Sequence, residues 1–330
     1  MKKLLALTLA LALTLTTLVI PAMAENEGTG YYGMLSLLNT KEEKFSEVGS
    51  SGSVTSIPKA EQTARSSTGN LVPKFFDTLD AMLMALSSGE VTTISLPLST
   101  ANYLCANNDS VTKLFQDGIP TDGILGMFID ILSYGYSFMM LEQNTALRDD
   151  FDRVLAEMKE DGTLAALQKA YIDDAIGGTK PEAVAFEKTD GKTVTVAVTG
   201  CLPPMDYVAE DGTPAGFNTA ILAEIGRRLG VNIELIQVDS VGRAMALSSG
   251  VADVAFWTQG VSSKIAGMTE EEYNAYIEAQ TEGLPQELKE LILSAIFAMS
   301  YEELIRQDLP DGTICTKPYY DDIATTVILK

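Results

Sequence analysis

The side chains able to do covalent chemistry are unevenly supplied in this chain. It has 45 aspartates and glutamates, 23 lysines and arginines, and no histidine. The missing histidine removes Ser-His and Cys-His nucleophilic sites, histidine metal centres and the commonest general base near neutral pH. Paired carboxylates remain as a source of acid–base chemistry, but no pair stands out, and acidic residues ordinarily lie on the surface. The three cysteines, Cys105, Cys201 and Cys315, are widely spaced, and no two have zinc-site spacing. One disulfide or buried free thiols both fit such a set. No P-loop pattern occurs, and no Gly-rich turn follows a strand at the dinucleotide-binding spacing. The net charge of −22 opposes contact with nucleic acid phosphates and with anionic membrane surfaces. The plain reading is a secreted protein with a solvated acidic coat that needs neither metal nor cofactor.

The elements that must position any site can be read along the chain. Lys2 and Lys3, the apolar run Leu4–Ile20 and Ala22-Met23-Ala24 form a secretory leader over 1–24, with cleavage near Ala24 and an extracytoplasmic destination. Residues 25–70 are a mixed segment with a Ser/Gly/Thr-rich loop. The hexapeptide Met84-Ala85-Leu86-Ser87-Ser88-Gly89 then returns as Met245-Ala246-Leu247-Ser248-Ser249-Gly250. Each copy ends a helical pattern and precedes an apolar run, as expected of two related α/β units facing across a cleft. In the first, Leu79, Met82, Leu83 and Leu86 fall on one helical face, Asp77 and Thr78 can cap it, and Gly89 can end it. Leu147, Phe151, Val154, Leu155 and Met158 predict a helix stopped at Gly162, and Leu164, Leu167 and Tyr171 a second. Residues 176–192 read as a linker. Val194, Val196 and Val198 alternate as a strand. Phe217, Ile221, Leu222, Ile225 and Leu229 line a helix with Arg227 and Arg228 at its negative end, and Ile233–Val238 is the next strand. This order favours a parallel, doubly wound sheet. Residues 262–308 read as an acidic helical insertion, either a surface excursion or a lid. Capping boxes are expected at Thr269/Glu272 and Ser300/Glu303, and an apolar stripe at Leu288, Leu291, Ile292, Ala295 and Met299.

These residues resemble a family. Thr193–Trp257, with PPMDY and DGTPAGF, is similar to the first lobe of extracellular solute-binding proteins, family 3, the polar amino-acid type that serves ABC transporters. Phe76–Leu104 resembles the second lobe. Leu141–Ile172, with NTALRDDF and MKEDGTLAAL, resembles the closing helices, and Asp311–Tyr320 the passage into the hinge. The pieces stand in unusual order, which gives the expected domains: 71–175 a second-lobe-like unit with closing helices, 176–192 a linker, and 193–330 a first-lobe-like unit carrying the insertion at 262–308. The expected fold is therefore α/β, two-lobed and periplasmic-binding-protein-like (a type II flytrap), with mostly parallel sheets in permuted order. Two separately folding truncated repeats are the alternative, at the cost of an unpaired sheet edge or an uncovered face in each.

The resemblance implies a monomer that captures a small polar solute, an amino acid or derivative, and hands it to a membrane permease without covalent chemistry. It points to Asp206, Tyr207, Asp239, Trp257, Thr258, Pro97, Ser99 and Tyr319 as ligand-binding residues. Trp257 and Thr258 lie just past a strand end, where open α/β sheets bind ligands. Two features depart from the family. Its amino-acid binders carry an arginine shortly after the third strand, whereas Trp257-Thr258-Gln259-Gly260 has none, and Arg243 and Lys264 are poorly placed substitutes. The second lobe's usual acidic residue is also missing from Leu96-Pro97-Leu98-Ser99. A degenerate flytrap acting as an interaction or sensory module, and a carboxylate-dependent lyase or dehydratase on the same scaffold, are the alternative functions.

Overall fold

The computed structural model describes residues 30–35, 71–76, 78–113, 123–179, 181–239, 242–297, 300–306 and 309–330; the expected leader lies outside them. The chain first forms β1 (Gly30–Leu35), β2 (Leu71–Phe76), α1 (Leu79–Ser88), β3 (Thr93–Pro97), α2 (Leu98–Asn107) and β4 (Val111–Lys113). Next, α3 (Gly123–Leu132) leads into β5 (Tyr134–Leu141), followed by α4 (Thr145–Glu160) and α5 (Thr163–Gln168), which runs on through a π turn, Lys169–Asp173, to Ile176. The second half brings β6 (Thr193–Val198), the short strands β7 (Cys201–Leu202), β8 (Asp206–Val208) and β9 (Pro214–Ala215), α6 (Phe217–Leu229), β10 (Asn232–Gln237), α7 (Gly242–Ser248) and β11 (Val254–Gln259). Then come α8 (Ser263–Ala266), α9 (Glu270–Gln280), α10 (Gln286–Ile296), α11 (Tyr301–Arg306), β12 (Thr313–Cys315), β13 (Tyr320–Asp322) and β14 (Ala324–Leu329).

Two large sheets build two lobes, and each borrows a strand from the other half of the chain. The sheet of lobe N runs β2-β1-β3-β14-β4, and that of lobe C runs β10-β6-β11-β5-β12, with β13 also on β5. Numbered within its own lobe, each sheet has the order second, first, third, guest, fourth. The guests β14 and β5 run antiparallel to their neighbours, while β1, β2, β3 and β6, β10, β11 pair in parallel. The sheets are thus mixed rather than simply parallel. Ile323 alone separates β13 of one sheet from β14 of the other. Neither half completes a sheet by itself. The lobes are joined by the passage from β4 through α3 to β5 and by Ile323.

The repeated hexapeptide occupies the same place in both lobes. Each copy ends the helix that feeds the third strand, α1 before β3 and α7 before β11. Met84 and Met245 are exposed (73% and 64%), while Leu86 and Leu247 are fully buried. Gly89 and Gly250 both take the left-handed conformation, with φ of 77° and 74°, where an L side chain would be strained. Thr78 caps α1 by accepting from Ala81 N at 3.2 Å.

The closing helices pack on lobe C. Phe151, Val154, Leu155 and Met158 of α4 are buried, and the Phe151 ring meets Phe138 of β5 edge-on at 5.4 Å. Burying each such ring contributes about 1.5–3 kcal/mol. Arg228 of α6 binds Asp161 at 2.8 Å and Thr163 Oγ1 at 2.9 Å, fixing the turn between α4 and α5.

The insertion builds a small core of its own. Ile265, Tyr273 and Ile277 bury against Val261 and against Met127 of α3. Lys264 binds Asp130 of α3 at 2.5 Å, and Tyr276 donates to the same carboxylate. Both expected capping boxes form, at Thr269/Glu272 and Ser300/Glu303. Of the apolar stripe expected on α10, Ile292 packs inward, joined by Leu293 and Ile296, whereas Leu288 is 44% exposed, and Leu291, Ala295 and Met299 lie outside the described side chains. Cys105, Cys201 and Cys315 are all free thiols.

Candidate functional site

The polar residues of lobe C converge at the carboxyl ends of β6 and β11. Thr199, Leu202, Asp206, Asn218, Arg243, Phe256, Trp257 and Thr258, with Tyr136 of β5, line a cavity of about 10 Å³, room for about one water molecule. The ends of parallel strands and the N-terminus of the following helix are where α/β sheets hold ligands.

Backbone geometry brings α6 to this place. Gly216 precedes the helix with φ of 107°, and a Cβ there would lie 2.4 Å from Met205 O. Only glycine lets the helix start press against the Pro204–Met205 turn, where Phe217 N donates to Pro204 O at 2.9 Å and Asn218 N to Met205 O at 2.8 Å. Asn218 is thereby buried at the cavity wall. Its Oδ1 accepts from Tyr319 Oη at 2.9 Å. Its Nδ2 and the hydroxyl of Tyr136 are buried without a hydrogen-bond partner among the described residues. A buried donor left in that condition costs about 1–3 kcal/mol, so both groups suit a guest or an ordered water.

The cavity also holds two buried ionisable groups. Asp206 accepts from Thr199 Oγ1 at 3.1 Å and from Gly200 N at 3.0 Å. Burial pushes its carboxyl up to about 6, against these bonds and the field of Arg243. The Arg243 guanidinium donates to Phe256 O at 3.0 Å and lies 5.0 Å from the centroid of the Trp257 ring. Burial lowers it to about 10, while Asp206 and Cys201 favour its charge. A carboxyl, a guanidinium, an amide and a phenol on one wall can recognise a small polar molecule carrying both signs of charge.

The residues expected from sequence are dispersed unevenly. Asp206, Trp257 and Thr258 line the cavity, and Tyr319 reaches it through Asn218. Tyr207 lies outside, with its ring 6.3 Å from Tyr103 of α2, so that it faces lobe N. Pro97 and Ser99 are buried in lobe N, where Ser99 bonds Asp322. Asp239 is exposed and accepts from Gly242 N at 2.6 Å, holding the start of α7. Thr199, Asn218, Arg243 and Tyr136 are the additions. Arg243 had a signal: with Ala246 and Leu247 it makes the buried i, i+3, i+4 face of α7. Asn218 likewise shares its face with Ile221, Leu222 and Ile225. Tyr136 had none, because its place depends on the exchanged strand.

Residues 194–264 match the model of a family described as bacterial extracellular solute-binding proteins, family 3. No curated protein matches the chain in sequence. Among solved structures, the chain is similar to NikA from Staphylococcus aureus in complex with Ni(L-His)2, at 11% identity and a TM-score of 0.36, covering 79% of this chain and 57% of that one. It is similar to a phosphate-binding protein of a phosphate ABC transporter from Streptococcus pneumoniae, at 10% identity and a TM-score of 0.35, covering 92% and 90%. It is also similar to arginine-bound ArgBP from T. maritima, at 8% identity and a TM-score of 0.33, covering 94% and 90%. The chain spans little more than half the length of NikA and of PBP AgaA from A. tumefaciens, 57% and 55%. Among the described residues, no helix is long and apolar enough to cross a membrane.

Proposed function

We propose that this chain is an extracytoplasmic solute-binding protein that captures a small polar solute, an amino acid or a derivative, and delivers it to an ABC-type permease. The observation that carries the reading is the overlap between the family match and the cavity. Residues 194–264 contain every cavity-lining residue except Tyr136. The sheet order supports a single permuted flytrap, since the guest strands supply the two inter-lobe passages that such a device needs. Arg243 and Asp206 take the roles of anion and ammonium anchors, both from one lobe. The cavity has room for about one water, so a larger solute enters only as its walls move apart. Solute binding then shifts an equilibrium between open and closed forms, and a few kcal/mol of differential contact suffices.

Thermal-shift screening against amino acids and other small polar solutes tests this. A true ligand at a hundredfold excess over its Kd should add about 2.7 kcal/mol of stability. Trp257, the single tryptophan, borders the cavity and should report the same event by fluorescence. Arg243→Ala should abolish both signals. A broad panel without a hit would reject solute capture and favour a flytrap kept as an interaction module.

A further inference from the structure

Asp322 is buried at the point where the chain leaves one lobe for the other. On β13 it pairs with Tyr134 of the lobe C sheet. One residue later the chain enters lobe N, and Ala324 pairs with Pro97. The Asp322 carboxylate reaches back across that step. It accepts from Ser99 Oγ at 2.6 Å, from Ser99 N at 3.3 Å and 3.4 Å, and from Ile323 N at 2.8 Å. Ser99 stands in the first turn of α2, a helix without a side-chain cap of its own. This carboxylate therefore sits at the positive end of a ten-residue helix in the opposite lobe. The same helix carries Tyr103, the residue that meets Tyr207 across the lobes.

Among the described residues, no cation is a main influence on this carboxyl. The surrounding titratable groups are Tyr134 and Tyr136 from β5 and Tyr320 from its own strand, all of which its charge disfavours as phenolates. Asp173, beyond α5, and Asp321 act on Tyr320, and the Asp321 carboxylate is engaged by Ser263. Burial raises the Asp322 carboxyl to about 6, while the bonds from Ser99 and Ile323 oppose the rise.

We propose that Asp322 couples lobe closure to pH, its carboxyl taking up a proton when the lobes shut and its ionisation favouring their opening. The proposal rests on the two-lobed solute-binding reading. The sign follows from solvation. Rotation of lobe N about Ile323 separates Ser99 from the lobe C sheet and admits water to the carboxyl, which returns toward its ordinary value of 3.8. The closed form holds the proton more tightly, so acid favours closure and pH above about 6 opposes it.

Small-angle X-ray scattering of the full chain between about pH 4 and about pH 7 tests the coupling. The radius of gyration should grow as pH rises. Asp322→Asn should stay compact throughout, with its folding checked by circular dichroism. Ser99→Ala removes a bond that stabilises the ionised form and should move the midpoint to higher pH, an independent test should the first variant not fold. A wild-type radius independent of pH, or an unchanged response in Asp322→Asn, overturns the proposal. If an L-amino-acid mixture still contracts the wild type at fixed pH, solute capture survives that failure; if neither pH nor the mixture changes the radius, both readings fall.

Discussion

Asp206 shows how a single buried carboxyl can make stability depend on pH. Its pKa is raised to about 6 by burial, so the folded state binds this proton more tightly than the unfolded chain does. The stability it confers is present below about pH 4 and is lost as pH rises toward 6 and beyond. Moving one carboxyl from 3.8 to about 6 corresponds to about 3 kcal/mol at most. Urea unfolding of the wild type and Asp206→Asn should therefore show a difference that changes by up to about that amount between pH 4 and pH 7, with the wild type losing ground as pH rises. A difference that stays flat across this range would mean the carboxyl is hydrated. The opposite sign holds for Asp161, lowered to about 2 by its bonds from Thr163, but that group is on the surface and moves stability little.

The helices and strands differ in how much of them the sequence disclosed. α1, α4, α6 and the capping boxes were legible because their signals are local: an apolar face, a cap and a glycine stop within a few turns. The box at Thr269 and Glu272 is an instance. Thr269→Ala should cost about 1 kcal/mol, seen as faster amide exchange in α9 with β11 unaffected. β5 was harder. Only Ser137–Leu141 reads as a strand from its composition, yet the structure extends it back to Tyr134, because its neighbours β11 and β12 cover it on both edges. The same limit applies to the cavity. Trp257 and Thr258 follow from a strand end and Asp206 from the family resemblance, whereas Arg243 reads as poorly placed because its sequence distance from β11 hides its packing under that strand. Its burial is a tertiary event, in which helix periodicity outweighs the expectation that arginines lie outside.

At the scale of the whole molecule, the decisive feature is that each sheet depends on a strand from the other half. Deleting Ala324–Leu329 removes the partner of both β3 and β4. It should abolish cooperative unfolding of lobe N, read as protease sensitivity near Val91–Ser99, although the deleted residues are remote in sequence. Loss confined to the C-terminal lobe would contradict the pairing. The arrangement also dictates a timetable for the newborn polypeptide. β1, β2, β3 and β4 leave the ribosome long before the strand that must lie between β3 and β4, and β5 waits equally for β11 and β12. Neither compartment can finish early, so the chain stays pliable until its far end is released.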